Sequence, residues 1–295
     1  MTRTNLASRL RRDTDEPITF WQIATRSWKE SERDNIGLIA AGVAFYSFLA
    51  FVPLIAATVL IYGLVADAEM VMQHSRVAFD LMPADAASLL TEQMQAVAVD
   101  SQKAQGWGLA VTLAVTLYGA MRGATATITA LNIVFELRDG RNFFQKLLLA
   151  AGITLSMVGV AIFGIMAVAA LALVETLLPM VPGWALFLIR AAFWVSAGAV
   201  AASGIALIYK FGPNYRLGSW RQLLPGAVFA TIGWLIVTLG FGAYVASFGN
   251  YNATYGALGA VVVLLMWLFL SAYVLLFGAE INAVLLDHDQ AAKAG

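Results

Sequence analysis

The chain contains no cysteine. Disulfides, thiolate zinc sites and iron–sulfur clusters are excluded, and the redox compartment stays open. Histidine is nearly absent, with only His74 and His288, far apart in sequence. Charge is scarce: 12% of residues are Asp, Glu, Lys or Arg, against about 25% in an ordinary soluble domain. The 18 basic and 18 acidic residues cancel, so a nucleic-acid partner has no electrostatic support at chain level. Apolar residues fill the space. They make up 60% of the chain, with a mean hydropathy of +0.77. An all-α integral membrane protein is the expected class.

Six stretches are long and apolar enough to span a bilayer, which takes about 20 residues: 36–66, 107–136, 143–175, 185–209, 222–247 and 255–286. The runs are continuous rather than alternating, so helices are expected, not a barrel. The first run follows a charged segment too long for a signal n-region and is longer than a signal h-region, so residues 1–35 are read as a retained N-terminal segment. Basic residues set the orientation. Arg3, Arg9, Arg11, Arg12, Arg26, Lys29, Arg33, Arg138, Arg141, Lys146, Lys210, Arg216, Arg221 and Lys293 fall on one side, and only Arg76 and Lys103 on the other. Fourteen against two predicts both termini in the cytoplasm, with 287–295 as a cytoplasmic tail.

Two elements lie outside the spans. PITFWQIATRSWKESERD, residues 17–34, repeats Phe20, Trp21, Ala24 and Trp28 at helical spacing. It reads as an amphipathic helix, either in the headgroup layer or packed on the inner end of the bundle. The connection 67–104 is split by Pro83 and mostly acidic. It is expected to form a helical cap on the outer side, with His74 solvated.

The membrane-embedded polar residues are the candidate site. In LYGAMRGATATITALN, residues 117–132, Arg122 stands in an apolar helix. The nearest acid in that helix is Glu136, 14 residues on, or about 20 Å along the axis. An isolated arginine at mid-bilayer costs at least about 2.5–3.5 kcal/mol. Three arrangements would relieve it: a distant acid such as Glu175 or Glu280 brought close by tilt, backbone carbonyls at a broken helix, or a hydrated cavity holding an anion. Gly119 and Gly123 form a GxxxG step around it, suited to close helix packing, and Pro53 is expected to kink the first span. Asn132 and Glu136 share a face near the inner end of the second span. Glu280 and Asn282 sit near the inner end of the last, where Glu280 is expected either to face the bundle interior as a functional group or to pair with Arg138, Arg216 or Arg221. Together Arg122, Asn132, Glu136, Glu280 and Asn282 form a candidate substrate pathway. Asn214, Tyr215, Arg216 and Arg221 follow Gly212-Pro213 and form a basic loop suited either to setting topology or to binding a phosphate headgroup.

Three segments resemble a known family: DNIGLIAAGVAFYSFLAFVPLIAA (34–57), YKFGPNYRLGSWRQLLPGAVFATIGW (209–234) and YNATYGALGAVVVLLMWLFLSAYVLLFGAEINAVL (251–285). In order along the chain, they resemble the YihY / virulence factor BrkB membrane-protein family. The resemblance implies a bacterial inner-membrane protein with about six spans. The family carries an old ribonuclease BN label, and some members have been connected with envelope lipid or lipopolysaccharide transport.

Residue inventory bears on those roles. Metal-dependent phosphodiester hydrolysis needs clustered ligands. The acids here are scattered, and Asp287-His288-Asp289 reads as the solvated end of the last helix, so neither a metal nor another cofactor is expected. The sequence favours a non-enzymatic transporter or flippase-like protein for an anionic lipid or amphipathic anion. The alternatives are a non-catalytic scaffold in envelope assembly and, disfavoured, a ribonuclease. Membrane lipids are the expected partners, with an oligomer or an envelope protein left open.

Overall fold

The computed structural model describes residues 18–63, 107–177, 183–214, 219–247 and 257–294. The expected outer cap, 67–104, and Tyr215 and Arg216 of the basic loop lie outside them. Seven helices follow in order: α1 (Phe20–Arg33), α2 (Ile36–Gly63), α3 (Trp107–Val134), α4 (Phe143–Leu177), α5 (Gly183–Phe211), α6 (Trp220–Ser247) and α7 (Ala257–Ala294). Among the described residues the elements are all helical. Residues 287–294, set apart as a tail by the sequence reading, continue α7 without a break.

α1 starts at a capping box, in which Thr19 accepts from the Gln22 amide and Gln22 reaches back to the Thr19 amide. Both groups are donors or acceptors that a helix start would otherwise leave unpaired. It stops at Asp34-Asn35, where Asn35 takes a left-handed φ of 55°, a conformation Asn tolerates better than most residues. The chain then turns by 69° into α2. The face α1 buries is small and polar, Ser27 and Ser31, while Phe20 (81% exposed) and Trp21 (75%) point outward. That is the reverse of a water-facing helix, and it suits aromatic rings at a headgroup layer.

The six longer helices have 28 to 38 residues. At 1.5 Å per residue each exceeds about 40 Å, longer than a hydrocarbon core of about 30 Å. Four are also apolar enough to cross a membrane, through Phe143–Val160, Trp184–Phe211, Trp220–Tyr244 and Val261–Ala292. The bent pair of α1 with α2 as far as Phe51 makes a fifth candidate. The described residues thus support four to five spans where six are expected from sequence. The least apolar of the long helices is α3, which carries Arg122 and a run of threonines.

α7 is central. It packs on α6, α2, α1 and α3, while α2 with α3 is the most extensive pairing. The core lies at the end of the bundle where α1 sits. It mixes Ala40, Ala130, Ala206, Ala227, Ala272 and Ala279 with larger groups such as Leu131, Tyr209, Leu223 and Leu276. Alanine and glycine let helix backbones approach closely, which is how helices associate where lipid offers no hydrophobic gain. Gly123 lies against Ser47 and Ala50 of α2, and Gly119 against Pro53.

Candidate functional site

Arg122 lines an open groove of about 460 Å³ between α2 and α3. Ile39, Gly42, Val43 and Tyr46 form the α2 wall; Arg122, Thr125, Thr129 and Ile133 run along α3. The spacing 122, 125, 129 puts the polar groups on one helix face. Thr125 and Thr129 donate their hydroxyl protons to Met121 O (2.9 Å) and Thr125 O (3.0 Å) in their own helix. Their outward contribution is therefore oxygen lone pairs. Arg122 supplies the cationic donors. It gives one hydrogen bond, to the Tyr118 hydroxyl at 3.1 Å, and its guanidinium lies 5.2 Å from the Tyr118 ring centre. A guanidinium has five N–H donors. Among the described residues no carboxylate pairs with Arg122. Arg122 thus lies along an open groove rather than against an acid of the described residues.

A second polar assembly sits at the α1 end. It ties the termini of α3 and α5 together. Arg141, in the segment between α3 and α4, donates to Gly212 O (2.6 Å), Pro213 O (2.5 Å) and Phe211 O (3.2 Å). These carbonyls are left open where α5 ends, and a planar guanidinium reaches several at once. The Asn214 amide donates to Asn132 Oδ1 at 2.8 Å, and Asn214 Nδ2 to Arg138 O at 3.1 Å. Gly212 is required by closeness: a Cβ there would stand 2.5 Å from the Ile208 carbonyl oxygen. Asn132 and Asn214 thus meet each other, and Arg141 does work that its sequence, read only as one more positive charge, does not advertise. Arg221 is exposed at the start of α6. Lys210 sits 4.2 Å above the Trp220 ring.

Glu136 has a left-handed φ of 50° and meets Arg33, which also contacts Glu30 at 3.0 Å and Asp34 at 3.7 Å. Burial holds the Asp34 carboxyl above its ordinary range; Arg33 opposes that shift, and Glu136 and Glu30 add to it.

The third assembly joins α6 to α7. Pro225 lies inside α6, where it has no N–H to give and opens the helix. Asn282 bonds the α6 backbone on either side of that proline: its Oδ1 accepts from the Gly226 amide at 2.8 Å and its Nδ2 donates to Leu223 O at 2.9 Å. The Gly226 and Gly278 backbones touch here, and a Cβ on Gly278 would stand 2.6 Å from Gly226 O. Tyr209 of α5 donates to Leu275 O at 2.5 Å. Asn282 is therefore fully engaged in backbone contacts. Glu280, 1% exposed, makes no ion pair with Arg138 or Arg221 among the described residues. Asp289 accepts from Gln222 at 2.7 Å.

The candidate pathway residues thus divide into a groove and a set of joints. The sequence itself matches the family model for "Virulence factor BrkB" over residues 27–295. The chain belongs to the virulence factor BrkB family. Among BrkB relatives, a ribonuclease-like protein, YfkH of Bacillus subtilis, is 31% identical over 183 residues, covering 57% of this chain and 62% of its own length. UPF0761 membrane proteins of Albidiferax ferrireducens and Pseudoalteromonas translucida are each 26% identical, over 90% and 85% of this chain and 62% and 81% of their own lengths. The match spans less than two thirds of the first of these relatives. No solved structure matches this BrkB-family chain. Membership agrees with the resemblance carried by the AFYSFLAFVPL, GPN and FGAEINA segments.

Proposed function

We propose that this BrkB-family protein is a non-enzymatic transporter that moves an anionic lipid, or a similar amphipathic anion, across the bacterial inner membrane. One observation carries the proposal: Arg122 presents free donors into an open groove whose walls are otherwise apolar groups and hydroxyls. A phosphate or carboxylate headgroup matches a guanidinium fork, and the α2 wall suits acyl chains. The groove lies in the bundle surface, where a lipid can enter sideways.

In this reading all six long helices span the membrane. The α1 end then faces the cytoplasm, because Arg26, Lys29, Arg33, Arg138, Arg141, Lys146, Lys210 and Arg221 gather there, as positive-inside orientation requires. Asn214 and Arg221, which flank the basic loop, stand on that side and are proposed to meet headgroups there. Among the described residues no group of three or more His, Asp or Glu is placed to hold a metal ion, and the ribonuclease-like name of YfkH is not transferred.

The test is headgroup translocation in proteoliposomes containing an anionic phospholipid. Wild type should translocate. Arg122→Ala should lose about ten- to a hundred-fold in rate, since a charge-assisted contact is worth about 1.5–3 kcal/mol, and Arg122→Lys should recover part of it. Equal rates in wild type and Arg122→Ala would remove Arg122 from the pathway. No translocation by wild type would remove the function.

A further inference from the structure

Glu280 is 1% exposed, and its Oε1 has no hydrogen-bond partner. On the helix packed against it, Ser27 is fully buried and its Oγ is also without a partner. α1 packs mainly on α7. The Trp28 and Phe277 rings, 6.3 Å apart, place the two helices against each other one turn before Glu280.

Among the described residues, the charged groups around Glu280 offer it no free cation. Glu30 and Arg33 come from α1, Asp34 from the turn after it and Glu136 from the segment after α3. Arg33 is already shared among Glu30, Asp34 and Glu136. α2 carries no Asp, Glu, Lys, Arg or His. The one charge of α3, Arg122, faces the groove, and Arg221 of α6 is exposed. On α7 itself the next ionisable groups are Asp287 and His288, two turns on, and His288 Nε2 is buried without a partner.

A buried carboxylate with no counter-charge escapes its desolvation cost by taking up a proton. As a carboxylic acid, Glu280 gains an O–H donor, and a serine hydroxyl is an acceptor as well as a donor. We propose that Glu280 is a proton-binding site, closed by α1, that holds its proton in this conformation. On release the carboxyl O–H bond breaks and the proton passes to water at the α1 end, leaving a carboxylate that needs the α1–α7 contact to open. Coupling of that proton to transport rests on the function proposed above; the bound proton does not.

The test uses the full chain in lipid vesicles, read by infrared difference spectroscopy at neutral pH. Wild type should show a protonated-carboxyl C=O band. Glu280→Gln should lose it, while Glu136→Gln, altered at an exposed carboxylate in contact with Arg33, should keep it. Glutamine mimics the protonated acid in shape, so the thermal midpoint of Glu280→Gln should match or exceed that of wild type. The proposal is overturned if wild type lacks the band, if the band survives in Glu280→Gln, or if that variant unfolds because the fold needed the ionised form. None of these readings requires transport.

Discussion

Replacing Asn282 with alanine tests the joint between α6 and α7. The substitution removes two hydrogen bonds at a site with no access to water: Gly226 N–H to Oδ1 and Nδ2 to Leu223 O. The two losses are unequal. The Gly226 N–H loses its side-chain acceptor, at about 1–3 kcal/mol if it is left a buried orphan donor. A carbonyl has a second lone pair, so Leu223 O loses less, about 0.5–1 kcal/mol. The sum is about 1.5–4 kcal/mol, well above the average of about 0.6 kcal/mol for a side-chain hydrogen bond inside a membrane protein. The excess is expected because the Gly226 amide directly follows Pro225, where the ring disturbs the regular helix bonds. That argument dictates the control. With Pro225→Ala, α6 can close, Gly226 can return to the Gln222 carbonyl, and Asn282→Ala should cost at least about 1 kcal/mol less than in the wild-type background. The assay is denaturant unfolding of the four proteins of the cycle in micelles. A cost for Asn282→Ala below about 0.5 kcal/mol, or an equal cost in both backgrounds, would refute the claim that Asn282 repairs the proline break.

Two further outcomes are expected. Arg141→Lys keeps the charge but not the fork that spans Phe211, Gly212 and Pro213 carbonyls; it should lower stability by about 1–3 kcal/mol and raise the rate of limited proteolysis after α5. Asp34 is held above its ordinary carboxylate range, chiefly by burial. The folded protein therefore binds that proton more tightly than the unfolded chain does. Its contribution is present at acid pH and is lost as pH rises through the window from the unfolded value up to the folded one. Asp34→Asn should flatten that decline in unfolding measured against pH.

The helices were legible in the sequence because lipid-facing apolar runs announce themselves without reference to a partner. Within the described residues each expected apolar run lies on one long helix, and α7 runs on through Asp287, His288 and Asp289, which the sequence reads as a solvated end. Pairings were less legible. Glu280 reads in sequence as a partner for Arg138, Arg216 or Arg221, but among the described residues the groups around it are the carboxylates of Glu30, Asp34 and Glu136, with Arg33 shared among them. Asn282 reads as a polar residue on a membrane helix; its meaning comes from Pro225, 57 residues earlier, which no local pattern connects to it. Arg141 was visible only as a charge. Arg122 is the contrary case. A lone cation in an apolar helix points to unusual surroundings by itself, and the groove supplies them.

The joints at the α1 end have a mechanical consequence. Arg141, Asn132 with Asn214, Tyr209 and Asn282 fasten α3, α5, α6 and α7 to one another at that end, and the Trp267 Nε1 to Thr238 Oγ1 bond adds a link between α6 and α7 farther along. A set of rods clamped at one end moves as levers. A 28-residue helix is about 42 Å long, so each degree of rotation at the clamp displaces the free end by about 0.7 Å. A rotation of a few degrees therefore moves the far end by a methyl-group width while leaving the clamp's hydrogen bonds within their normal range. For the proposed transporter, such a lever would widen lateral access between the helices at the membrane face opposite the clamp.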